Sequence, residues 1–214
     1  MKRSGKLRRI LVSPRLARAL LRHGVAASVE HIAALRDLQC RTVVDIGANR
    51  GQFALVVRHC FPDATIISFE PLHRPAEVFC RVFKVDIKVE LHQVAIGPET
   101  GTAIIHVSGR DDSSSLLPIT ALQNQIFPGT QESGTETIKV GRLEEFVSAE
   151  ETEPPASLKL DVQGYELEGL HRDVAPSLEP LRVPRLMTPG AVVDIDANAG
   201  ACYHRSVSQR VDRG

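Results

Sequence analysis

The hydrophobic and polar positions of this chain predict strands and helices that alternate from residue 42 onward. Short apolar runs bounded by turn residues are typical of buried strands, and apolar residues spaced three or four apart are typical of helices. The predicted strands are Thr42–Ile46, Thr65–Phe69, Lys88–Ile96, Thr102–Val107, Thr137–Val140 and Ser157–Val162. The predicted helices are Ala26–Leu38, Gln52–Cys60, Ala76–Phe83, Leu143–Phe146 and Tyr165–Leu170. This alternation predicts an α/β fold with an open, mostly parallel sheet and helices on both faces.

Two segments depart from the regular alternation. The turn at residues 97–101 joins two predicted strands directly, which predicts a hairpin between 88–96 and 102–107. Residues 109–134 form a long polar stretch rich in Ser, Asp, Gln and Thr. A stretch of that length predicts a lid, a binding loop or a disordered segment.

Composition limits the class of protein. At 214 residues, with 43% hydrophobic and 24% charged residues, the chain is predicted to form one globular domain. No apolar run reaches the length of about eighteen residues that a membrane-spanning helix needs. Arginines rather than an apolar segment follow the basic N-terminus, so no signal peptide is predicted and a cytoplasmic location is expected. The four cysteines lack metal-site spacing, and we interpret them as reduced, mostly buried thiols.

Positive charge is concentrated at the N-terminus, although the formal net charge is zero. Residues 1–23 contain eight Lys or Arg and no acid, which leaves 18 basic and 26 acidic residues in the remainder. Within residues 6–22 apolar and basic positions alternate at helical spacing, with a break at Pro14. This segment could lie on an anionic membrane surface or dock a partner, or it could pack against its own domain. The acidic remainder, with two tyrosines and no tryptophan, argues against nucleic-acid binding.

A two-glycine loop follows the first predicted strand. Asp45 precedes this loop, Gly47 and Gly51 lie within it, and Glu70 follows the second strand. Pyrophosphate cofactors are typically bound by three glycines in the pattern G-x-G-x-x-G, so a nicotinamide-dependent dehydrogenase is disfavoured. An acid before the loop favours a cationic ligand such as S-adenosylmethionine, which carries an ammonium, a sulfonium and a ribose but no phosphate. Asp161 ends a later strand, and the carboxyl ends of parallel strands meet at one edge, so the three acids are expected to lie together.

Six segments resemble, in order and spacing, the FkbM family of S-adenosylmethionine-dependent methyltransferases. They are Val44–Phe53, Phe69–Pro71, Val94–Gly97, Asp112–Leu116, Val140–Phe146 and Leu158–Glu166. The resemblance spans most of the chain, residues 40–170. It implies a Rossmann-like class I methyltransferase fold and transfer of a methyl group to a hydroxyl, often on a sugar or a polyketide-derived small molecule.

The resemblance also implies roles for individual residues. The glycine loop would hold the methionine part of the cofactor, the acid after the second strand would bind the ribose, and Ala95 would border the adenine. The implied cofactor-binding residues are Asp45, Gly47, Asn49, Gly51, Phe53, Glu70, Ala95 and Ser114. Asp161 is the candidate base or acceptor-orienting residue, or else a helix cap, and Asp161 with Glu166 could hold Mg²⁺, which prefers oxygen ligands. The spare candidates for the base are His73, His92 and His106.

The chain departs from the family pattern at two places. Glu144 and Glu145 stand where the family usually has aspartates, which is a mild change. Residues 171–214 are rich in proline and arginine and do not show the sequence pattern of the core strand, helix and closing antiparallel pair that such domains carry. We therefore expect incomplete C-terminal strands, with a basic helical segment at 1–40, the methyltransferase domain at 41–170 and an altered tail at 171–214.

The tail contains an echo of the glycine loop. Val192–Gly200 repeats much of Val43–Gly51, but Asp196 replaces Gly47. Because the loop needs its glycine to turn, a second cofactor site is disfavoured and the echo is interpreted as a coincidence or a remnant.

The predicted function is that of an O-methyltransferase that acts on a hydroxyl of a small molecule, a sugar or a glycolipid. The alternative, favoured by the altered tail, is a degenerate relative that binds the cofactor or a partner without turnover. The acceptor and the oligomeric state stay open at this point.

Overall fold

A computed structural model describes residues 5–36, 38–108, 131–148 and 150–161 with their side chains. Residues 3 and 4 and the strands at 185–188, 191–196 and 201–206 are described by their backbone. The predicted helix Tyr165–Leu170 and most of the polar stretch at 109–134 lie outside the described residues.

Helices and strands alternate along the described part of the chain. The helices are α1 (Arg3–Val12), α2 (Pro14–His23), α3 (Ile32–Leu35), α4 (Gln52–Cys60) and α5 (His73–Phe83), with short 3₁₀ helices at Val29–His31 and Leu143–Glu145. The strands are β1 (Thr42–Ile46), β2 (Thr65–Phe69), β3 (Val89–His92), β4 (Ala95–Ile96), β5 (Gly101–Ser108), β6 (Glu132–Gly141), β7 (Ala156–Leu160), β8 (Arg185–Thr188), β9 (Ala191–Asp196) and β10 (Ala201–Ser206). The bounds of β1, β2 and α4 are the predicted ones.

Seven strands form one sheet in the order β10-β9-β8-β7-β1-β2-β3. The pairs β3–β2, β2–β1, β1–β7 and β7–β8 are parallel, and the pairs β8–β9 and β9–β10 are antiparallel. The chain runs outward from β1 to β3 and then returns to place β7 on the other side of β1. The strand order therefore reverses between β1 and β7, and ligands of open α/β sheets bind at such a reversal, outside the carboxyl ends of the strands.

Both faces of the central strands are buried, as the apolar runs predict. On one face α1 to α5 pack around Val43 and Ile66, with Phe79 among the buried side chains. On the other face Val44 and Leu158 pack with Val94, Leu143 and Val147, which belong to connections rather than to long helices. The α/β fold class with a mostly parallel sheet is confirmed, and the α-helices with described side chains lie on the first face.

The N-terminal helices contribute to the first core. Ile10, Leu16 and Ala19 are at most 4% exposed and belong to the same cluster as the central strands, so this segment packs against its own domain. Other apolar side chains of the segment point outward, namely Leu7, Leu11, Val12 and Leu21. The helix predicted at 26–38 is shorter than expected, because the backbone N–H of Ser28 donates to Gln52 O on α4 (3.1 Å) instead of continuing a helix.

The hairpin prediction for residues 88–107 is wrong. The backbone N–H of Val94 donates to His92 O (3.0 Å), and this tight turn ends β3 and sends Val94 into the second core. A separate three-stranded sheet follows in the order β4-β6-β5, in which β5 pairs antiparallel with β6 and β4 runs parallel to β6. Leu72, Ile105 and Ile138 form a small core beneath this second sheet.

The tail carries strands that the sequence analysis did not predict. β8 continues the parallel part of the large sheet, and β9 and β10 close it as an antiparallel pair. The expectation of incomplete C-terminal strands is therefore wrong for β8, β9 and β10. The proline-rich segment before them hid their short apolar runs in the sequence. The echoed segment at Val192–Gly200 begins in β9, which is antiparallel to both neighbours and so lacks the parallel βαβ setting of a nucleotide loop.

Candidate functional site

The loop after β1 lies at the point where the strand order reverses. The backbone N–H groups of Gly47 and Ala48 both donate to Phe69 O, at 3.0 and 2.9 Å, which ties the start of the loop to the end of β2. Gly47, Asn49 and Gly51 have φ angles of 78°, 49° and 88°, all in the left-handed region that favours glycine and tolerates asparagine. The loop therefore turns sharply and delivers the chain into the N-terminus of α4.

Gly47 allows the loop to touch β7. A Cβ atom at this position would lie 1.9 Å from Asp161 O, which is far inside van der Waals contact. The backbone N–H of Asp161 donates to Ile46 O (3.1 Å), so the two strand ends are also joined by a hydrogen bond. The predicted loop residue and the predicted catalytic residue are thus in direct backbone contact.

Lys159 links the acids at this edge, and sequence reasoning missed it. Its ammonium Nζ lies 3.1 Å from Asp45 Oδ1 and 3.7 Å from Asp161 Oδ2. The same ammonium donates to Gly47 O at 2.7 Å, and its side chain is 8% exposed. A lysine inside a buried apolar strand is rare unless it is paired, and that was the available signal.

Asp45 is completely buried beneath the loop. Burial raises the pKa of Asp45, and the Lys159 ammonium offsets part of that rise. Asp45 Oδ2 and the hydroxyl of Ser68, its register partner on β2, have no hydrogen-bond partner among the described residues. A buried acceptor without a donor is costly, so this position favours a ligand or a water molecule that can donate a hydrogen bond.

Glu70 is a second buried acid and directly follows β2. Its Oε2 accepts a hydrogen bond from the backbone N–H of Asn49 (2.9 Å), and its Oε1 accepts one from the backbone N–H of Leu72 (2.9 Å). Burial raises the pKa of Glu70 to about 7, although both N–H groups favour the charged form. Glu70 thus holds the loop in place, and its predicted contact with the ribose would use the lone pairs that remain.

The raised pKa of Glu70 predicts a pH dependence of stability. The folded protein favours the protonated carboxyl, so this contribution is complete below the ordinary value of 4.5 and is lost as the pH rises through about 7. We expect the free energy of unfolding of the wild type to fall by about 3 kcal/mol across that window relative to Glu70→Gln. Urea unfolding of both proteins at several pH values measures the difference. Glu99→Gln, at an exposed position, is the matched control, and parallel pH profiles for the wild type and Glu70→Gln would contradict the prediction.

Phe53 and His31 complete the edge on the helical side. Phe53 is 3% exposed in the first turn of α4, and the Lys159 ammonium lies 5.8 Å from its ring centroid. The ring of His31 packs edge-on against Phe53, with 5.4 Å between centroids and an interplanar angle of 89°. His31 was not predicted, since nothing in its local sequence distinguishes it from a surface histidine.

The other predicted residues are placed as follows. Asp161 has 31% of its side chain exposed, so it is the most open of the three acids. Ala95 lies on β4 in the small sheet and packs against the cluster of Leu72, Ile105 and Ile138. Leu72 is the residue whose backbone N–H donates to Glu70. Ser114 and Glu166 lie outside the described residues.

The histidines proposed as spare bases are held by other contacts, although His92 ends β3 at this edge and its backbone O accepts a hydrogen bond from the N–H of Glu70 (3.1 Å). His73 pairs with Glu77 on the exposed side of α5, and His106 contacts Glu132 across the antiparallel pair of β5 and β6. His92 stacks on Phe69, on the face opposite the helices. None of the three has a described contact with Asp161 or the glycine loop.

The described residues provide no metal centre. Within them, no group of three or more His, Cys, Asp or Glu side chains could hold a metal ion. The Lys159 ammonium already lies beside Asp161, so the predicted Mg²⁺ site finds no support there.

Among the described residues, no helix is long and apolar enough to cross a membrane.

A mostly parallel sheet with reversed strand order, a two-glycine loop at the reversal and acids at the ends of its strands together form a Rossmann-like α/β architecture of the kind that methyltransferases have. A family model described as the Methyltransferase FkbM domain matches residues 45–185. That match covers more than half of the chain, and the chain therefore belongs to the FkbM methyltransferase-domain family.

A related protein carries a corresponding name. Methyltransferase 1 of Beauveria bassiana (strain ARSEF 2860) is 27% identical to this chain over 148 residues. The alignment covers 64% of this chain and 58% of the relative, so the chain spans less than two thirds of that protein's length.

Proposed function

We propose that this chain binds S-adenosylmethionine and transfers its methyl group to a hydroxyl of a small molecule, a sugar or a glycolipid. The observation that carries the proposal is the contact between Gly47 and Asp161 at the strand-order reversal, in a chain of the FkbM family. In this arrangement a partly exposed carboxylate lies beside a loop that is shaped for close backbone approach to a ligand.

The residues of the loop fit this cofactor. Asp45 Oδ2 is a buried acceptor without a partner, which suits the ammonium of the ligand directly or through a water molecule. Glu70 carries lone pairs that could accept hydrogen bonds from ribose hydroxyls while it keeps the loop in place. When bound, S-adenosylmethionine supplies a methyl group that is activated by a sulfonium. Two acids and no third glycine fit a cationic nucleoside better than a pyrophosphate.

The protein's own contribution is mainly placement. Alignment of the acceptor hydroxyl with the methyl group can supply about 7–11 kcal/mol of rate acceleration. Asp161 is the acid best placed for this, since the Lys159 ammonium and the backbone hydrogen bond to Ile46 O on β1 fix its position and part of its side chain remains accessible. We assign Asp161 the role of accepting a hydrogen bond from the acceptor hydroxyl and orienting it.

The test compares Asp161→Asn with the wild type. Calorimetry measures binding of S-adenosylmethionine, and tritium from the labelled methyl group reports transfer to lipid and glycan fractions of a lysate. We expect cofactor affinity within about threefold of the wild type and transfer lowered by about 10²–10⁴-fold, because the variant loses the charged acceptor. Asp63→Asn, with 98% of the side chain exposed, is the matched control.

The same assay separates the alternatives. A degenerate relative would bind the cofactor without transfer to any fraction. A chain that ignores S-adenosylmethionine and binds a dinucleotide would overturn the proposal.

The exposed leucines of α1 and α2 lie among basic residues and are compatible with a lipid-linked acceptor. Contact of this segment with a membrane surface stays a prediction.

A further inference from the structure

Transfer of a methyl group to a neutral hydroxyl releases one proton for each methyl group transferred. A protein that catalyses this step benefits from a group that accepts the proton, and a base is most effective when its pKa lies near the working pH. An ordinary carboxylate has a pKa near 4 and is a weak base for an alcohol, whereas an imidazole titrates close to neutrality. The site described above contains a histidine to which no role has been assigned.

His31 is held at the edge that carries the glycine loop. It ends the short 3₁₀ helix Val29–His31, and its backbone N–H donates to Ser28 O (3.0 Å). The backbone N–H of Ser28 in turn donates to Gln52 O (3.1 Å), the first residue of α4 and the residue directly after the loop. Because both ends of this short segment are hydrogen-bonded, the position of His31 is fixed by the same helix N-terminus that receives the loop.

The ring of His31 is also held in place, by packing against other side chains. It lies edge-on to Phe53, whose ring also faces the Lys159 ammonium, and Lys159 contacts Asp161. His31, Phe53, Lys159 and Asp161 therefore form one contiguous group, with His31 half-buried at its outer side. A fixed but partly accessible ring is the geometry that a base toward an incoming substrate needs.

Burial and charge together favour the neutral ring of His31, and three nearby acids offset part of this preference. Burial lowers the pKa of His31, and the Lys159 ammonium on β7 acts in the same direction. Glu30 from its own segment, Asp161 from β7 and Asp45 from β1 act against this and would stabilise the imidazolium once it forms. At neutral pH the ring is therefore able to accept a proton.

We propose that His31 accepts the proton of the acceptor hydroxyl, an inference that rests on the proposed function. The acceptor oxygen forms a bond to the methyl carbon while the bond from that carbon to sulfur breaks, and the electron pair of that bond stays on sulfur. The O–H bond breaks and its proton passes to a ring nitrogen of His31, which later releases it to solvent. Asp161 orients the hydroxyl between the methyl group of the cofactor and the ring of His31.

The experiment uses His31→Ala and His31→Gln, with His73→Ala on the exposed side of α5 as the matched control. The probe is tritium-labelled S-adenosylmethionine with the lysate fraction that the wild type labels, measured from acid to alkaline pH. We expect both His31 variants to lose about 10²–10³-fold in kcat with the Kd for the cofactor within about threefold. We also expect the wild-type rate to level off above the pKa of His31, the rates of the variants to keep rising with pH, and added imidazole to restore part of the activity of His31→Ala.

Independent readouts separate the possible failures. NMR titration of the free chain should give a pKa for His31 below its ordinary value of 6.5. Unchanged kcat in both variants, or a loss of cofactor affinity that accounts for the whole loss of rate, overturns the assignment of His31 and leaves the proposed function intact. A folded wild type that transfers no methyl group to any fraction overturns both.

Discussion

Replacement of Lys159 by methionine should lower the free energy of unfolding by about 3–5 kcal/mol near neutral pH, as is typical when one partner of a buried ion pair is removed. Methionine keeps most of the length of the side chain but leaves Asp45 buried without its 3.1 Å partner. It also removes the hydrogen bond to Gly47 O. Chemical denaturation of the variant and the wild type measures the loss directly.

The pH dependence identifies the cause of that loss. Without Lys159, the pKa of Asp45 should rise further above its unfolded value, so the deficit should be smallest in acid and should grow as the pH increases. The double variant Asp45→Asn/Lys159→Met removes the buried charge and should recover part of the stability. Lys88→Met, which breaks an exposed pair with Asp63 at 3.9 Å, is the control and should cost less than about 1 kcal/mol. A Lys159→Met protein as stable as this control would contradict the buried ion pair.

The central fold could be predicted because its signals are local. β1, β2 and α4 each carry a short apolar run or a helical periodicity with clear ends, and their bounds agree with the prediction. The parallel arrangement also follows from the alternation of strands and helices, because a parallel pair needs a crossover connection.

The errors arose where pairing depends on distant residues. β5 pairs with β6, which lies beyond a long polar segment, whereas the adjacent strand was the only partner that local reasoning could offer. The turn that ends β3 is set by burial of Val94 in the second core, which a sequence window does not reveal. The strands of the tail follow a proline-rich connection that masks their short apolar runs.

The candidate site shows the same division. Asp45, Glu70 and Asp161 could be predicted because each lies at or directly after the carboxyl end of a strand of a parallel sheet, and the structure brings them to one edge. The links between them could not be predicted, since Lys159 reaches Gly47 O across 112 residues of sequence and His31 acts through a ring contact with Phe53 on another element. Asp45 is completely buried, and its Oδ1 contacts the Lys159 ammonium. Only its Oδ2 is therefore left for the expected contact with a ligand.

Replacement of Gly47 by alanine should abolish binding of S-adenosylmethionine, with a loss of affinity of at least about 100-fold, or about 2.7 kcal/mol. The added Cβ would lie 1.9 Å from Asp161 O, so either the loop or the end of β7 must move. The φ angle of 78° adds strain of about 1–2 kcal/mol for any L-residue with a side chain. Calorimetry with the cofactor and urea unfolding together measure both effects.

Gly24→Ala separates backbone strain from the steric clash. Gly24 ends α2 with a similar φ of 68°, but nothing lies within 4 Å of the position that its Cβ would take. We expect this control to lose about 1 kcal/mol of stability and to bind the cofactor like the wild type, because it carries the strain without the contact. If Gly47→Ala behaved like Gly24→Ala in both measurements, the close approach of the loop to Asp161 would not matter for cofactor binding. The proposed cofactor site would then have to lie elsewhere on the sheet.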